Sequence, residues 1–270
     1  MENSVLEFNA AMHYNRDIFL LNYSKELNLF EETNNMLWQL GEHISRQIDI
    51  SGYTHTSIGV FILVILRQAN NAFNLISTYQ TYDAWVVFRP VIECVLLIGK
   101  FLDSPTNADL WMRRKEIRLN RKKDKRTFDK YMLELEGNGL ISESISMSGS
   151  YRQILTKIND EFMHFNFEYY FPKTYEVEEI SPLNLYISVS HTGDDFFRHK
   201  AHLLSFLHLY RMIVVSLDEA FAKLYDVQSI VNVEMESVEN TWKSEVEKLL
   251  RDKPELKDII VSIGLWNMKN

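Results

Sequence analysis

The chain has 270 residues, of which 46% are hydrophobic and 24% are charged, and its net charge is −8. A chain of this length can bury a sizeable core without disulfides or metals. Nine glycines and five prolines are too few for the dense turns of an all-β sandwich or barrel, and the acidic balance excludes a general nucleic-acid coat, although a local basic patch can still bind.

The sequence shows no signal for secretion or for membrane insertion. The N-terminus lacks a basic start followed by an apolar stretch, so no signal peptide is predicted. The longest charge-free apolar run, Ile58–Leu66, falls far short of the ~20 residues that span a membrane. Cys94 is the only cysteine, which excludes an intrachain disulfide and a cysteine-based zinc site. We therefore predict a cytoplasmic protein without membrane contact.

The N-terminal part of the chain predicts helices. Residues 1–30 are mixed and indicate a short helix or an arm that lies on the body of the protein. From Glu31, apolar residues recur every three or four positions, which is typical of an amphipathic helix, and this helix ends at Ser51–Gly52. Two longer helices follow at about 54–78 and 84–102. The short break between them predicts an antiparallel hairpin.

The predicted hairpin carries charges inside apolar runs, where ionised side chains are rarely buried without a partner. A turn near residue 80 places Arg67 opposite Glu93. It also places Asn71 opposite Arg89, which precedes Glu93 by one helical turn and shares its face. These side chains form either an anion-recognising or proton-handling pocket, or a buried ion pair that fixes the register of the two helices. Pro90 predicts a kink beside them.

A basic stretch lies in the next predicted helix, at residues 106–135. Between the apolar ends of this helix, residues 113–126 contain nine basic and two acidic side chains, so we expect its middle to stand in water. Such a stretch is suited to gripping the phosphates of RNA or DNA. The binding candidates are Arg113, Arg114, Arg118, Arg121 and Lys122. The alternatives are a solvated face and an intramolecular partner for the acidic C-terminal third.

The rest of the chain alternates between loops and helices. Residues 137–149 are rich in Ser and Gly and predict a loop, and residues 172–183 predict a second linker. The predicted helices cover about 151–163, about 185 or 194 to 225, 234–250 and 254–263. We expect these helices to form a C-terminal layer on the hairpin.

Histidines are concentrated late in the chain. One face of a continuous helix would carry the set His191, Asp195, His199 and His202. Histidine and carboxylate side chains at this spacing can hold zinc or iron. The alternative is a polar stripe that faces solvent. His164 precedes a run of aromatic residues, which are suited either to stacking a base or to packing in a core.

The segment Asp83–Trp111 combines an Arg-x-x-x-Glu pair in an apolar helix with a break at Asp103–Pro105 and a following helix that opens with an aromatic residue. It resembles the central helix of a bacterial all-helical family of unknown function. The downstream segment Asn159–His164 resembles a family segment that ends in histidine, and the resemblance covers about half of the chain. It implies an all-helical fold, a pocket around Arg89, Glu93 and His164, and a role in phage defence or toxin systems.

Together these patterns predict an all-α protein, a helical bundle built on the long antiparallel hairpin with an additional C-terminal helical layer. We expect one domain over residues 1–270, with a subdivision into 1–136 and 150–270 as the alternative. The predicted function is a binding or regulatory module that engages an anionic ligand or nucleic acid and needs no cofactor.

Two enzymatic alternatives remain open. A metal-independent nuclease would use His164 as acid and base, and Arg89 to stabilise phosphate charge, with Glu93 orienting the guanidinium. A metalloenzyme would use the histidine set at 191–202. A protein partner or a second copy of the chain is compatible with each of these functions.

Overall fold

A computed structural model describes residues 4–46, 52–121, 124–137, 141–160, 175–181, 184–189, 196–225, 229 and 232–262. Within these ranges the chain forms α-helices, a short 3₁₀ helix at Pro254–Leu256 and one two-stranded hairpin. The helices are α1 (Ser4–Asn22), α2 (Ser24–Arg46), α3 (Tyr53–Ser77), α4 (Thr81–Asp103), α5 (Pro105–Met112), α6 (Arg114–Asn120), α7 (Lys125–Glu136), α8 (Ser148–Ile158), α9 (Phe196–Tyr225), α10 (Asn232–Asp252) and α11 (Lys257–Ser262). The predicted all-α helical bundle is confirmed.

The α3–α4 hairpin is the centre of the bundle, as predicted. In α3 the buried apolar side chains recur every three or four residues: Ile58, Ile62, Ile65, Ala69, Ala72 and Ile76. The buried positions of α4 lie on several of its faces, because α3, α8 and α9 all pack against it. The turn between the two helices contains Tyr79, whose φ of 66° is a left-handed backbone conformation that residues other than glycine rarely adopt. The helix α4 continues through Pro90.

The C-terminal helices form the predicted second layer. The long helix α9 packs against α2, α3 and α4, and both α10 and α11 pack against α9. One continuous core cluster runs from Phe19 in α1 to Ile260 in α11. The helix α1 lies in the N-terminal stretch for which the sequence predicts a short helix or an arm, and it packs against α2 and α3.

The helix α3 has the length and mean hydropathy of a membrane span, judged by length and composition alone. A core helix of a bundle passes the same test, and α3 buries one face against α2, α4 and α5. The cytoplasmic location without membrane contact therefore stays a prediction.

The single long helix predicted at 106–135 is wrong, because the chain breaks there into α5, α6 and α7. Both ends of this stretch carry apolar side chains that a straight helix would leave far apart. Folding back lets Phe128, Met132 and Leu135 of α7 bury themselves against Leu110 and Trp111 of α5. The hydrophobic gain from closing this small cluster favours the break over a continuous helix.

The predicted linker at 172–183, and a helix that resumes at Leu185, are also wrong. Residues Tyr175–Ser181 and Asn184–Val189 form the antiparallel strands β1 and β2, with Tyr175 paired to Val189. Leu185, Ile187 and Val189 recur every second residue, which is the period of a strand. The α9 helix begins at Phe196, close to the alternative start at residue 194.

Gly99 lies where the segment before α8 crosses α4, and we expect Gly99→Ala to destabilise the fold. A Cβ atom at this position would lie 2.7 Å from the Cβ of Ser142 and 2.8 Å from Cγ1 of Ile145. Overpacking of this kind costs about 1–3 kcal/mol, which outweighs the better helix propensity of alanine. Urea unfolding monitored by circular dichroism measures the change.

Gly59→Ala is the matched control, since Gly59 lies in α3 with no atom within 4 Å of its would-be Cβ. This variant should gain about 0.5–1 kcal/mol, because alanine restricts the unfolded chain more than glycine does. Equal stabilisation by both substitutions would contradict the close approach at Gly99.

Candidate anion-binding cleft

The expectation that Arg89 and Glu93 are buried together is half wrong. The structure brings them together, since Arg89 Nη2 lies 2.8 Å from Glu93 Oε1, one turn further along α4. Their side chains are 33% and 38% exposed, however, so the pair lies at the surface. A partly exposed ion pair of this kind contributes at most about 1 kcal/mol. It neither fixes the hairpin register nor forms a dry pocket.

The predicted partners of this pair on α3 are not engaged with it. Arg67 is exposed, and it forms no ion pair with Glu93 within the described ranges. Asn71 is also exposed and lies 3.4 Å from the side-chain oxygen of Gln68 on its own helix. The sequence predicts that these four side chains face each other between α3 and α4. In the structure all four lie at the outer edge of the interface between the two helices.

Of the candidate histidines, His199 lies in the core, and two others lie outside the described residues. His164, His191 and Asp195 lie outside the described residues, so the nuclease alternative stays a prediction. His199 is buried, and its Nε2–H donates to the Ile76 carbonyl at 2.8 Å. Its ring stacks on Tyr79, with centroids 4.1 Å apart.

Burial lowers the pKa of His199 to about 4, which keeps it neutral at physiological pH. Both ring nitrogens face protein groups, Nε2 the Ile76 carbonyl and Nδ1 the Tyr23 hydroxyl at 3.4 Å, so His199 does not support the proposed metal set. His202 lies with its ring against Tyr82, at 6.0 Å between centroids. In the part of the chain that the structure describes, no three His, Cys, Asp or Glu side chains group to hold a metal.

Nearby acids pair with four of the nine basic side chains in the stretch 113–126. All four are arginines. Arg113 pairs with Glu116 and Asp109, Arg114 with Glu136, Arg118 with Asp129, and Arg121 with Asp124. The hydrogen bond from Arg118 lowers the pKa of Asp129, and that from Arg113 lowers the pKa of Glu116. Lys122 lies outside the described residues. The acidic partners come from α5 to α7 and not from the C-terminal third.

A surface cleft of about 510 Å³ opens at the first part of this stretch. Its cations are the consecutive residues Arg113, Arg114 and Lys115, and its carboxylates are Glu116 and Glu136. Lys115 is exposed and forms no ion pair among the residues described. The cleft therefore holds one more positive than negative side chain, and Lys115 is its cation without an ion pair in the part of the chain that the structure describes.

The apolar side of the cleft is formed by Tyr53, Trp111 and Met112. Tyr53 and Met112 are exposed. Trp111 is anchored on the hairpin, because its ring lies 5.1 Å from that of Phe61 and 5.9 Å from that of Phe101. An aromatic surface beside cations is suited to a ligand that combines a planar ring with an anion.

A buried lysine fixes the main chain on both sides of Glu136, which lines the cleft. Lys100 Nζ donates hydrogen bonds to the carbonyls of Leu135 at 2.7 Å and Gly137 at 2.6 Å, which flank Glu136 at the end of α7. These carbonyls have no partner inside the helix, so the ammonium group caps its C-terminus. Burial first, and repulsion by Arg152 second, lower the pKa of Lys100 to about 8.

The sequence predicts Arg113 and Arg114 of this cleft as binding residues, but it does not single out Lys115 or most of the other lining residues. Tyr53 and Glu136 are more than eighty positions apart in the chain, and no spacing pattern connects them. The one available signal was Lys100, a charge inside the apolar run 85–102. It is the only charge of that run that is buried in the structure.

A second charged cluster lies inside the bundle and joins three helices. Lys200 Nζ of α9 lies 3.0 Å from Glu26 Oε1 of α2 and 2.7 Å from Glu245 Oε2 of α10. Lys25 Nζ lies 2.7 Å from the other oxygen of Glu245. Burial opposes ionisation of Glu245, but the hydrogen bonds from Lys200 and Lys25 outweigh it and lower its pKa to about 2. Both carboxylates are buried, so the cluster holds the helices together and offers no open site.

The arrangement that can meet a ligand is thus the cleft beside Trp111 and not the Arg89–Glu93 pair. The bacterial family that the segment Asp83–Trp111 resembles stays a prediction for this chain. Comparison of the chain with protein-family profiles, with curated proteins and with solved structures finds no match.

Proposed function

We propose that the chain is a binding module that holds a nucleotide-type ligand, a phosphate attached to a planar base, in the cleft beside Trp111. The observation that carries this proposal is that three consecutive cations and the rings of Tyr53 and Trp111 line one cavity. The cleft volume of about 510 Å³ falls in the range that small-molecule sites occupy.

The parts of the cleft suit the parts of such a ligand. Among the described residues Lys115 forms no ion pair, so its ammonium group can meet a phosphate oxygen. Arg113 adds a planar guanidinium, which Glu116 and Asp109 already hold. Tyr53 and Trp111 line the cleft with aromatic rings, and aromatic rings are the groups on which bases stack. Glu116 can accept hydrogen bonds from the amino group of a base or a sugar hydroxyl.

The cleft gives no information on the cellular role or location of the protein. A role in bacterial phage defence follows from the resemblance of the segment Asp83–Trp111 alone, and a cytoplasmic location follows from the sequence. Both remain predictions, and the proposed ligand of the cleft does not depend on them.

Binding of a short single-stranded oligodeoxyadenylate that carries a 5′ phosphate and a 3′ fluorophore tests the proposal. We expect measurable binding by fluorescence anisotropy that Lys115→Ala weakens about tenfold, the loss of one charge-assisted hydrogen bond. Affinity should also fall about tenfold between roughly 50 and 200 mM salt, because phosphate contacts release counterions.

Lys125→Ala is the matched control, since Lys125 is an exposed lysine at the start of α7 and does not line the cleft. This variant should bind as the wild type does. Equal affinities for wild type and Lys115→Ala, or the absence of binding, would contradict the proposal.

A further inference from the structure

A carboxylate already occupies the cationic wall of the cleft. Arg114 Nη1 donates a hydrogen bond to Glu136 Oε1, and both residues line the cavity. Their side chains are 42% and 31% exposed, so a ligand can reach the pair. An anion that enters the cleft therefore competes with Glu136 for Arg114.

Glu136 is held in this position through its main chain. The carbonyls immediately before and after it receive the two hydrogen bonds from Lys100. Lys100 and Leu135 are both buried, so this end of α7 is fixed to α4. The carboxylate can rotate away from Arg114, but the main chain of Glu136 stays anchored beside the cleft.

The charge of the ligand decides this competition. Arg113 is also engaged, by Glu116 at 3.0 Å and Asp109 at 3.4 Å, so within the described ranges Lys115 is the cleft cation without an acidic partner. A phosphodiester carries one negative charge, as a carboxylate does, and replacing Glu136 by it gains little Coulomb energy at Arg114. A phosphomonoester carries about −1.5 to −2 at neutral pH and has three acceptor oxygens, enough to engage Arg114 and Lys115 together.

We propose that the cleft selects a terminal phosphate, the monoester of a nucleotide, over an internal phosphodiester, and that Glu136 enforces this selection by competing for Arg114. The proposal rests on the proposed function of the cleft and names its ligand more closely. A free nucleoside monophosphate and the phosphorylated end of a strand share this chemistry.

Isothermal titration with AMP and with 3′,5′-cyclic AMP tests the selection, because the two share base and sugar but differ in the phosphate ester. Wild type should bind AMP about tenfold more tightly than cyclic AMP, from the extra charge. In Glu136→Gln the preference should fall to about threefold or less, mainly because cyclic AMP gains affinity once the competing charge is gone.

Two oligonucleotides separate the sources of the phosphate. If a strand end is the ligand, a 5′-phosphorylated oligodeoxyadenylate should bind more tightly than AMP, and its 5′-hydroxyl counterpart should bind at least tenfold more weakly. If a free nucleotide is the ligand, AMP should bind more tightly than either strand. Both results support selection of a monoester.

Glu134→Gln is the matched control, because Glu134 lies on the same helix, pairs with Lys130 and does not line the cleft. It should keep the wild-type preference. Equal affinity of wild type for AMP and cyclic AMP, or an unchanged preference in Glu136→Gln, would overturn the selection and leave the proposed function standing. No binding of either nucleotide to either protein would overturn both.

Discussion

Replacement of Lys200 by Met should destabilise the protein by about 3–5 kcal/mol, the loss that follows when one partner of a buried ion cluster is removed. The substitution keeps the length and apolar stem of the side chain but leaves Glu26 and Glu245 buried without their shared cation. Two buried carboxylates then face each other across the junction of α2, α9 and α10. Urea unfolding at neutral pH, followed by circular dichroism, measures this loss.

Lys25→Met is the matched control, because Lys25 contacts the same Glu245 but its side chain is 63% exposed. It should cost no more than about 1 kcal/mol. A loss for Lys200→Met as small as that for Lys25→Met would contradict a buried cluster.

The stability that the cluster provides should depend on pH. The folded-state pKa of Glu245 is lowered to about 2, so the stabilisation is present at neutral pH and is lost as the pH falls from about 4.5 towards 2.

Phe206→Ala should cost about 3–5 kcal/mol, the usual range for a large aromatic side chain removed from a core. Phe206 is fully buried in α9, where five rings from four helices surround it. These rings are Phe30, Phe73, Trp85, Phe88 and Tyr210, with centroids 4.8 to 6.4 Å from that of Phe206. The cavity cannot close easily, because rigid rings line it on all these sides.

Phe197→Ala in the same helix provides the comparison. Phe197 is 39% exposed, and its removal should cost less than about 1 kcal/mol. Urea unfolding of both variants measures the contrast. Similar losses for the two substitutions would show that α9 does not pack on the hairpin through Phe206.

The hairpin could be predicted from the sequence because its signal is local. Apolar residues at helical spacing, a short break near Tyr79 and two long segments determine an antiparallel pair without knowledge of the rest of the chain. The charges within the apolar runs did not predict correctly which side chains are buried. Arg89 and Glu93 are one turn apart on a helix that is buried on most sides, and the sequence could not show which narrow strip of α4 remains at the surface.

Lys100 shows the opposite case. It lies in the same apolar run and is buried, because the end of α7 supplies two carbonyls for its ammonium group. That partner is main chain and leaves no mark in the residue types of the sequence. A search for acidic partners at helical spacing therefore passes over it.

The break of residues 106–135 into three helices depends on contacts that spacing does not encode. Most residues of the basic stretch are good helix formers, with Asn120 and Asp124 as exceptions, so local preference favours a continuous helix. The return of α7 onto Leu110 and Trp111 overrides that preference. The cleft is a product of this return, since it brings Glu136 back to Arg114, and it could not be predicted from the sequence alone.

The most direct test of the account is the site at which AMP contacts the protein. The chain has five tryptophans, and their indole N–H signals can be followed in a ¹⁵N-labelled sample, with Trp111→Phe identifying one of them. We expect AMP to shift the Trp111 signal and to leave those of the buried Trp85 and Trp242 in place. An unmoved Trp111 signal at saturating AMP would contradict the cleft as the binding site.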